Sequence, residues 1–169
     1  MQCLNVVDIV VILTIIIKLF LTYFIDLLDI YLFMRRLYTN VMRKIPSETL
    51  LNRLKKVPRR NQFTTTITIG EVYYGLMKAS NRTRLLKLFE AVLLPRATIL
   101  PFDFSASKKY GEIRSFLEKK GTPLAHADLQ IASIALSMNM TLITGNLKHF
   151  QRVPKLSVEN WLMEKREGS

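Results

Sequence analysis

Two stretches decide how this chain folds: TTTITIGEVYYG at Thr64–Gly75 and GTPLAHADLQIASIALSMNMTLITGNLKHF at Gly121–Phe150. In the second, Asp128 heads an apolar helix. A buried strand follows and ends in the polar cluster Thr144, Asn146 and His149. In the first, a β-branched strand runs into a helix with Glu71 in its first turn. Two carboxylates, each just past a strand, meet at the carboxyl edge of a parallel sheet, where open α/β sheets build their sites. Carboxylates gathered at such an edge suit Mg²⁺ or Mn²⁺, which favour oxygen ligands.

The rest of the chain extends this pattern. Ser47 is placed to cap a helix over Glu48–Lys56, with Leu50, Leu51, Leu54 and Val57 on one face and Pro58 ending it. Phe63–Ile69 alternates Thr and Ile and reads as a strand, with a helix from Glu71 to about Ala79. Asn81 opens another helix, striped by Leu85, Leu86, Leu88, Phe89, Val92 and Leu93 and stopped by Pro95. Ala97–Leu100 is a short strand, and Ser105–Lys119 a helix ending at the Gly121–Pro123 turn. Asp128–Met138 is a helix, Thr141–Thr144 a strand, and Leu156–Val158 a last edge strand held down by Trp161 and Leu162. Strands alternating with helices imply a three-layer α/β/α sandwich around a central, mainly parallel sheet.

Length and composition set the limits. At 169 residues the chain is one domain, divided here into a hydrophobic N-terminal extension (1–22), the domain proper (23–162) and a polar tail (163–169). Hydrophobic residues make up 49%, enough for a full core, and the formal net charge of +12 favours a polyanionic partner, nucleic acid ahead of lipid. The lone Cys3 excludes an internal disulfide and fits a reducing, cytoplasmic setting. Only His126 and His149 are present, and no Cys/His cluster has zinc spacing. From Val6 to Leu28 the chain is nearly apolar, interrupted by Asp8, Thr14, Lys18, Thr22 and Asp26. Membrane anchor, extension beside the first strand, and translation begun upstream of the domain all remain open for it; a membrane-tethered form is not favoured, because Asp8 and Lys18 spoil a clean span.

The order strand–Glu71–helix, then DLQIASIAL from Asp128, then TLITGNLKHF, resembles the PIN domain, and in particular the VapC-type toxin ribonucleases of toxin–antitoxin pairs, over Pro46–Leu162. The resemblance implies an endoribonuclease using Mg²⁺ or Mn²⁺ held by three or four acidic residues. It also implies an RNA substrate, a cognate antitoxin and a homodimer. Glu71 matches the family's second acid and Asp128 the acid heading the DLxIA helix. Asn146 matches the polar position after the fourth strand, and His149 falls where members carry Asp, Glu or His. His126 replaces a further acid.

The first motif, Asp-Thr-Asn or a close variant in the family, has no counterpart here. Asp26 is the nearest acid, with Asp29 as an alternative. A third register takes Tyr31–Phe33 as the first strand, so that Met34, Arg35 and Arg36 fill the acidic positions and break the site. The expected catalytic set is therefore Asp26, Glu71 and Asp128, and the expected metal ligands are these three with Asn146, supported by Thr144. The competing function is a non-catalytic PIN-like module that binds RNA or antitoxin.

Each residue also has a plainer role. Glu71 could complement a helix dipole and Asp128 could be a helix cap, while Asn146 suits a Gly-Asn turn. Asp103 reads as a loop or capping acid, and Glu112 and Glu118 as solvent-facing. The run of cations from Arg35 to Arg60 is placed to meet phosphates, and Tyr73 and Tyr74 to stack on unpaired bases.

Overall fold

The computed structural model describes residues 31–163. Segment 1–22, Asp26, Asp29 and the tail after Met163 lie outside the described residues. No helix among the described residues is long and apolar enough to cross a membrane.

Five parallel strands form one sheet: β1 (Tyr31–Phe33), β2 (Gln62–Thr65), β3 (Thr98–Leu100), β4 (Thr141–Ile143) and β5 (Val158–Glu159). Their order is β3-β2-β1-β4-β5, with all four pairings parallel. The chain walks outward from β1 through β2 to β3, then returns to β1's other side for β4 and β5. The reversal falls between β1 and β4, which makes their carboxyl ends the natural crevice for a site.

Helices cover both faces. One core cluster gathers Leu37, Leu50, Val72, Leu76, Phe89 and Trp161 from α1 (Arg35–Val41), α2 (Glu48–Lys56), α3 (Thr66–Met77) and the segments around them. The other gathers Ile113, Leu117, Leu129, Ile131, Ile134 and Phe150 from α5 (Phe104–Lys119), α6 (His126–Ser137) and α7 (Leu147–Phe150). The expected three-layer sandwich is therefore the observed one. Ser47 caps α2, its hydroxyl accepting from Leu50 N at 3.4 Å. Asp103 caps α5, accepting from Ala106 N at 2.8 Å.

Three local expectations need correction. The strand expected over Phe63–Ile69 stops at Thr65, whose hydroxyl accepts from Thr68 N at 3.0 Å and starts α3 there. The cap turns a β-branched run helical, because satisfying orphan helix amides outweighs weak strand propensity. Glu71 consequently sits in the second turn of α3, not the first. The helix expected from Asn81 to Leu93 is α4 (Arg82–Leu88) followed by a π-type turn over Phe89–Leu93 and a 3₁₀ turn over Leu94–Arg96. Pro95 lacks an amide proton and cannot continue the helix. The final strand is Val158–Glu159, held by Trp161, whose ring meets Tyr31 edge-on at 4.8 Å and Phe33 at 5.5 Å.

Candidate active site

The site is assembled at the carboxyl ends of β1, β2 and β4. Helix α3 leaves β2 and carries Glu71 over this edge, while α6 carries Asp128 in its first turn. The two helices pack against each other, and the charges of Glu71 and Asp128 act on one another. Burial pushes the Glu71 carboxyl above its ordinary value and Asp128 adds to that, while Arg35 opposes it. A partly desolvated acid near a second carboxylate is favoured in its charged form by nearby positive charge.

Asp128 has a further neighbour: its Oδ2 lies 3.7 Å from His149 Nδ1 on α7, a pair that becomes ionic when the imidazole is protonated. The Asp128 side chain is 22% exposed and that of His149 49%, so solvent reaches both. Asn146 precedes α7 at its start and does not cap it; its amide N donates to Thr144 Oγ1 at 3.1 Å, leaving the Asn146 side chain outside that turn bond. Thr144 is buried and its hydroxyl closes the turn after β4.

Scaffolding beneath the acids is made of threonines. Thr64 Oγ1 donates to the Phe33 carbonyl at 3.2 Å, tying β2 to the end of β1. Thr65 Oγ1 and Thr68 Oγ1 lie 3.1 Å apart, both fully buried. The sequence showed these threonines only as strand formers; their hydrogen-bonding role depends on partners distant in the chain.

The carboxyl end of β1 decides how complete the site is. Met34 N donates to Ile143 O at 3.2 Å, so the ladder runs one residue past β1, and Met34 is buried in the core. Arg35 and Arg36 follow at once as the first residues of α1. Met34, Arg35 and Arg36 thus directly follow the strand Tyr31–Phe33, while Asp26 and Asp29 lie outside the described residues. Among the described residues no group of three or more His, Cys, Asp and Glu side chains could hold a metal ion. The candidate donors are two carboxylates and the Asn146 amide oxygen, which follows β4. Those groups would offer Mg²⁺ an incomplete set of oxygen ligands, so water and phosphate oxygens would have to supply the rest.

Other expected residues stand elsewhere. His126 Nδ1 lies 2.6 Å from the Tyr110 hydroxyl, and the two rings stack, so His126 is engaged with α5. Tyr73 is half-buried and donates to Glu90 Oε1 at 3.0 Å, while Tyr74 is exposed with Lys78 against its ring. Glu112 and Glu118 pair with Lys109 and Arg114 at the surface. A separate apolar cleft of about 320 Å³, lined by Leu37, Val41, Leu51, Leu54, Leu93 and Arg59 among others, contains neither acid.

Comparison with known proteins bears on this region. The PIN domain family profile matches residues 43–156, beginning after β1 and α1. Ribonuclease VapC2 of Rickettsia felis is 34% identical over 115 residues, 68% of this chain and 85% of that protein. The tRNA(fMet)-specific endonuclease VapC of Salmonella typhimurium is 35% identical over 97 residues, 57% of this chain and 73% of that protein. Among solved structures, VapBC2 from Rickettsia felis, bound to a DNA fragment from its promoter, superposes with a TM-score of 0.72 at 32% identity, covering 78% of this chain and 98% of the other. FitAcB from Neisseria gonorrhoeae superposes at 0.74 with 25% identity, covering 80% and 100%.

Proposed function

The chain belongs to the PIN domain family, and from that premise we propose that it is an endoribonuclease that hydrolyses RNA phosphodiester bonds as the toxin of a toxin–antitoxin pair. The observation that supports the proposal is the packing of α3 against α6 at the switch-point edge of the sheet, which brings Glu71 and Asp128 close enough for their charges to act on one another. Glu71 and Asp128 are the residues that would hold a divalent ion, with the Asn146 amide oxygen as a neutral donor and Asp26 as a further acid from outside the described residues. Such an ion, when bound, makes water a better nucleophile and offsets charge on the phosphate. Sequence kinship with proteins named as ribonuclease and tRNA-specific endonuclease supports the RNA substrate.

The substrate's phosphates meet a basic protein of formal net charge +12. Arg35, Arg36, Arg53, Arg59 and Arg60 lie on or beside α1 and α2. The similar solved structures are VapBC assemblies, which supports a cognate antitoxin as partner. The apolar cleft between α1 and α2 is a fitting place for an antitoxin segment or a second copy. We place the protein in the cytoplasm, consistent with its single cysteine.

A second reading, a non-catalytic RNA- or antitoxin-binding module, has one observation in its favour: Met34, Arg35 and Arg36 stand at the carboxyl end of β1. One experiment separates the two. RNA is incubated with the full chain in Mn²⁺ or in EDTA, alongside Asp128→Asn and Glu71→Gln. The nuclease reading expects cleavage that EDTA abolishes and that each substitution lowers by about a hundredfold or more, the scale of lost metal-assisted charge stabilisation. Tight RNA binding without cleavage in Mn²⁺ establishes the second reading instead.

A further inference from the structure

The contact between Asp128 and His149 joins two helices that are weakly fixed by their own sequence. Helix α6 follows Ala125, whose methyl group cannot cap it, and Asp128 lies in its first turn. Helix α7 is four residues long, and Asn146 before it does not cap it. Asp128 Oδ2 and His149 Nδ1 nevertheless lie 3.7 Å apart, which requires both helices to keep their places.

Arg152 joins the two. Its Nε donates to the His149 carbonyl at 3.0 Å and its Nη2 to the Pro123 carbonyl at 3.2 Å. Pro123 lies in the turn leading into α6, 29 residues from Arg152 in the chain. One guanidinium therefore bridges the backbone just ahead of α6 and the backbone of α7. Its own main chain is anchored. Phe150 and Val153, on either side of Arg152, are buried in the core, and Val153 N donates to Phe150 O at 3.0 Å. Two bonds from one rigid plane fix orientation as well as distance, which a flexible amine cannot do.

We propose that Arg152 is a positioning residue for the nuclease site, clamping the approach to α6 onto α7 so that Asp128 and His149 keep a fixed relation. This rests on Asp128 being one of the metal-holding acids, as in the proposed function. Arg152 acts through the backbone on either side of the pair, not on the substrate. The effect is large in principle, because a catalytic group misplaced by about an ångström can cost on the order of a hundredfold in rate.

The test compares Arg152→Gln with wild type in the full chain, by steady-state RNA cleavage with Mn²⁺ and by nuclear magnetic resonance of the histidine rings. The expected result is a kcat lowered about tenfold or more with KM within about twofold, since positioning governs the reacting step and not RNA capture. Arg152→Lys keeps the charge but not the fork and is expected to fall between the two. Gln62→Ala is the control for a lost tether: it removes side-chain bonds to the Leu54 and Val57 carbonyls at the amino end of β2, away from the acids. It is expected to lower the unfolding midpoint and leave kcat unchanged. The spectroscopic arm needs no activity. The chain has only two histidines, so His149 is assigned by the signals missing from His149→Gln. At a pH where the ring is neutral, Arg152→Gln is expected to move those signals in the same direction as Asp128→Ala, which removes the contact outright. Unchanged kcat in Arg152→Gln overturns the proposal. So does a rise in KM alone, which would make Arg152 a phosphate contact, and so does an equal fall of kcat in Gln62→Ala. If the wild type cuts no RNA, the nuclease reading fails and the His149 signals alone decide whether Arg152 sets the pair.

Discussion

Arg36 Nη1 donates to the backbone oxygen of Gly145 across 109 positions of sequence, joining the first turn after β1 to the end of β4. The contact exists because Gly145 has no Cβ. Its backbone is not in the left-handed region, so alanine is allowed conformationally and only space is at issue. Gly145→Ala is expected to displace Arg36 and Leu162 and cost about 1 kcal/mol, the low end of overpacking costs because both neighbours are side chains that can move. Chemical denaturation of the two proteins checks it. An unchanged midpoint means that the corner is looser than it looks.

Glu71 links stability to pH. Its folded-state value is raised, first by burial and then by Asp128, with Arg35 opposing. An acid raised on folding binds more protons folded than unfolded, so stability falls as pH climbs from the unfolded value through the folded one. The ionised carboxylate is therefore a liability at neutral pH. In EDTA, Glu71→Gln is expected to melt higher than wild type at pH 7, and the gap is expected to close as pH is lowered through the carboxylate range. A gap independent of pH would mean that ionisation is not its source.

Thr65 caps α3 and bonds to Thr68 in the core. Thr65→Ala removes the cap and leaves the buried Thr68 hydroxyl without this partner. The expected loss is about 1–2 kcal/mol, with RNA cleavage falling too because α3 aims Glu71. Thr65→Ser keeps the oxygen and is expected to recover most of both. Urea denaturation and the cleavage assay read the two effects separately.

The Tyr38 hydroxyl is buried with no partner in hydrogen-bond geometry. Burial pushes its pKa up to about 12, with the nearby Thr64 hydroxyl pulling slightly the other way. The ring itself packs edge-on against Phe89 at 5.7 Å. Tyr38→Phe keeps the ring and drops the unpaired oxygen. It is expected to be neutral or stabilising by up to about 1 kcal/mol, whereas Phe89→Ala, at a fully buried site, is expected to cost about 3–5 kcal/mol. Thermal unfolding distinguishes the two directions.

The fold was legible because its information is local. The apolar run from Leu129 to Leu136 announces a buried helix, and the short runs at Thr141–Ile143 and Thr98–Leu100 announce strands. The capping residues Ser47 and Asp103 could be read one helix at a time. The end of β2 could not be read in this way. Six residues from Thr64 to Ile69 carry the same β-branched signature, and only the buried Thr65–Thr68 bond, possible once the sheet exists, sets where strand becomes helix. Of the site, Glu71 and Asp128 were legible as acids in the right phrase. The β1 register was not: Tyr23 to Phe33 is apolar at almost every step, so any short window resembles a strand. The β1 pairings place a strand at Tyr31–Phe33, and its partners in β2 and β4 lie far along the chain.

Those same pairings govern how the molecule comes into being. Tyr31 must wait for Gln62 on one side and for Thr141 on the other. Long-range parallel pairing is slow to close, and an unfilled strand edge is sticky in the meantime. A nascent chain therefore displays Glu71 well before Asp128 has been synthesised, and its middle strand lacks one partner until Thr141–Ile143 has been made. A chain stopped before Asp128 lacks one of the two proposed metal-holding acids, and one stopped before β4 leaves one edge of β1 unpaired.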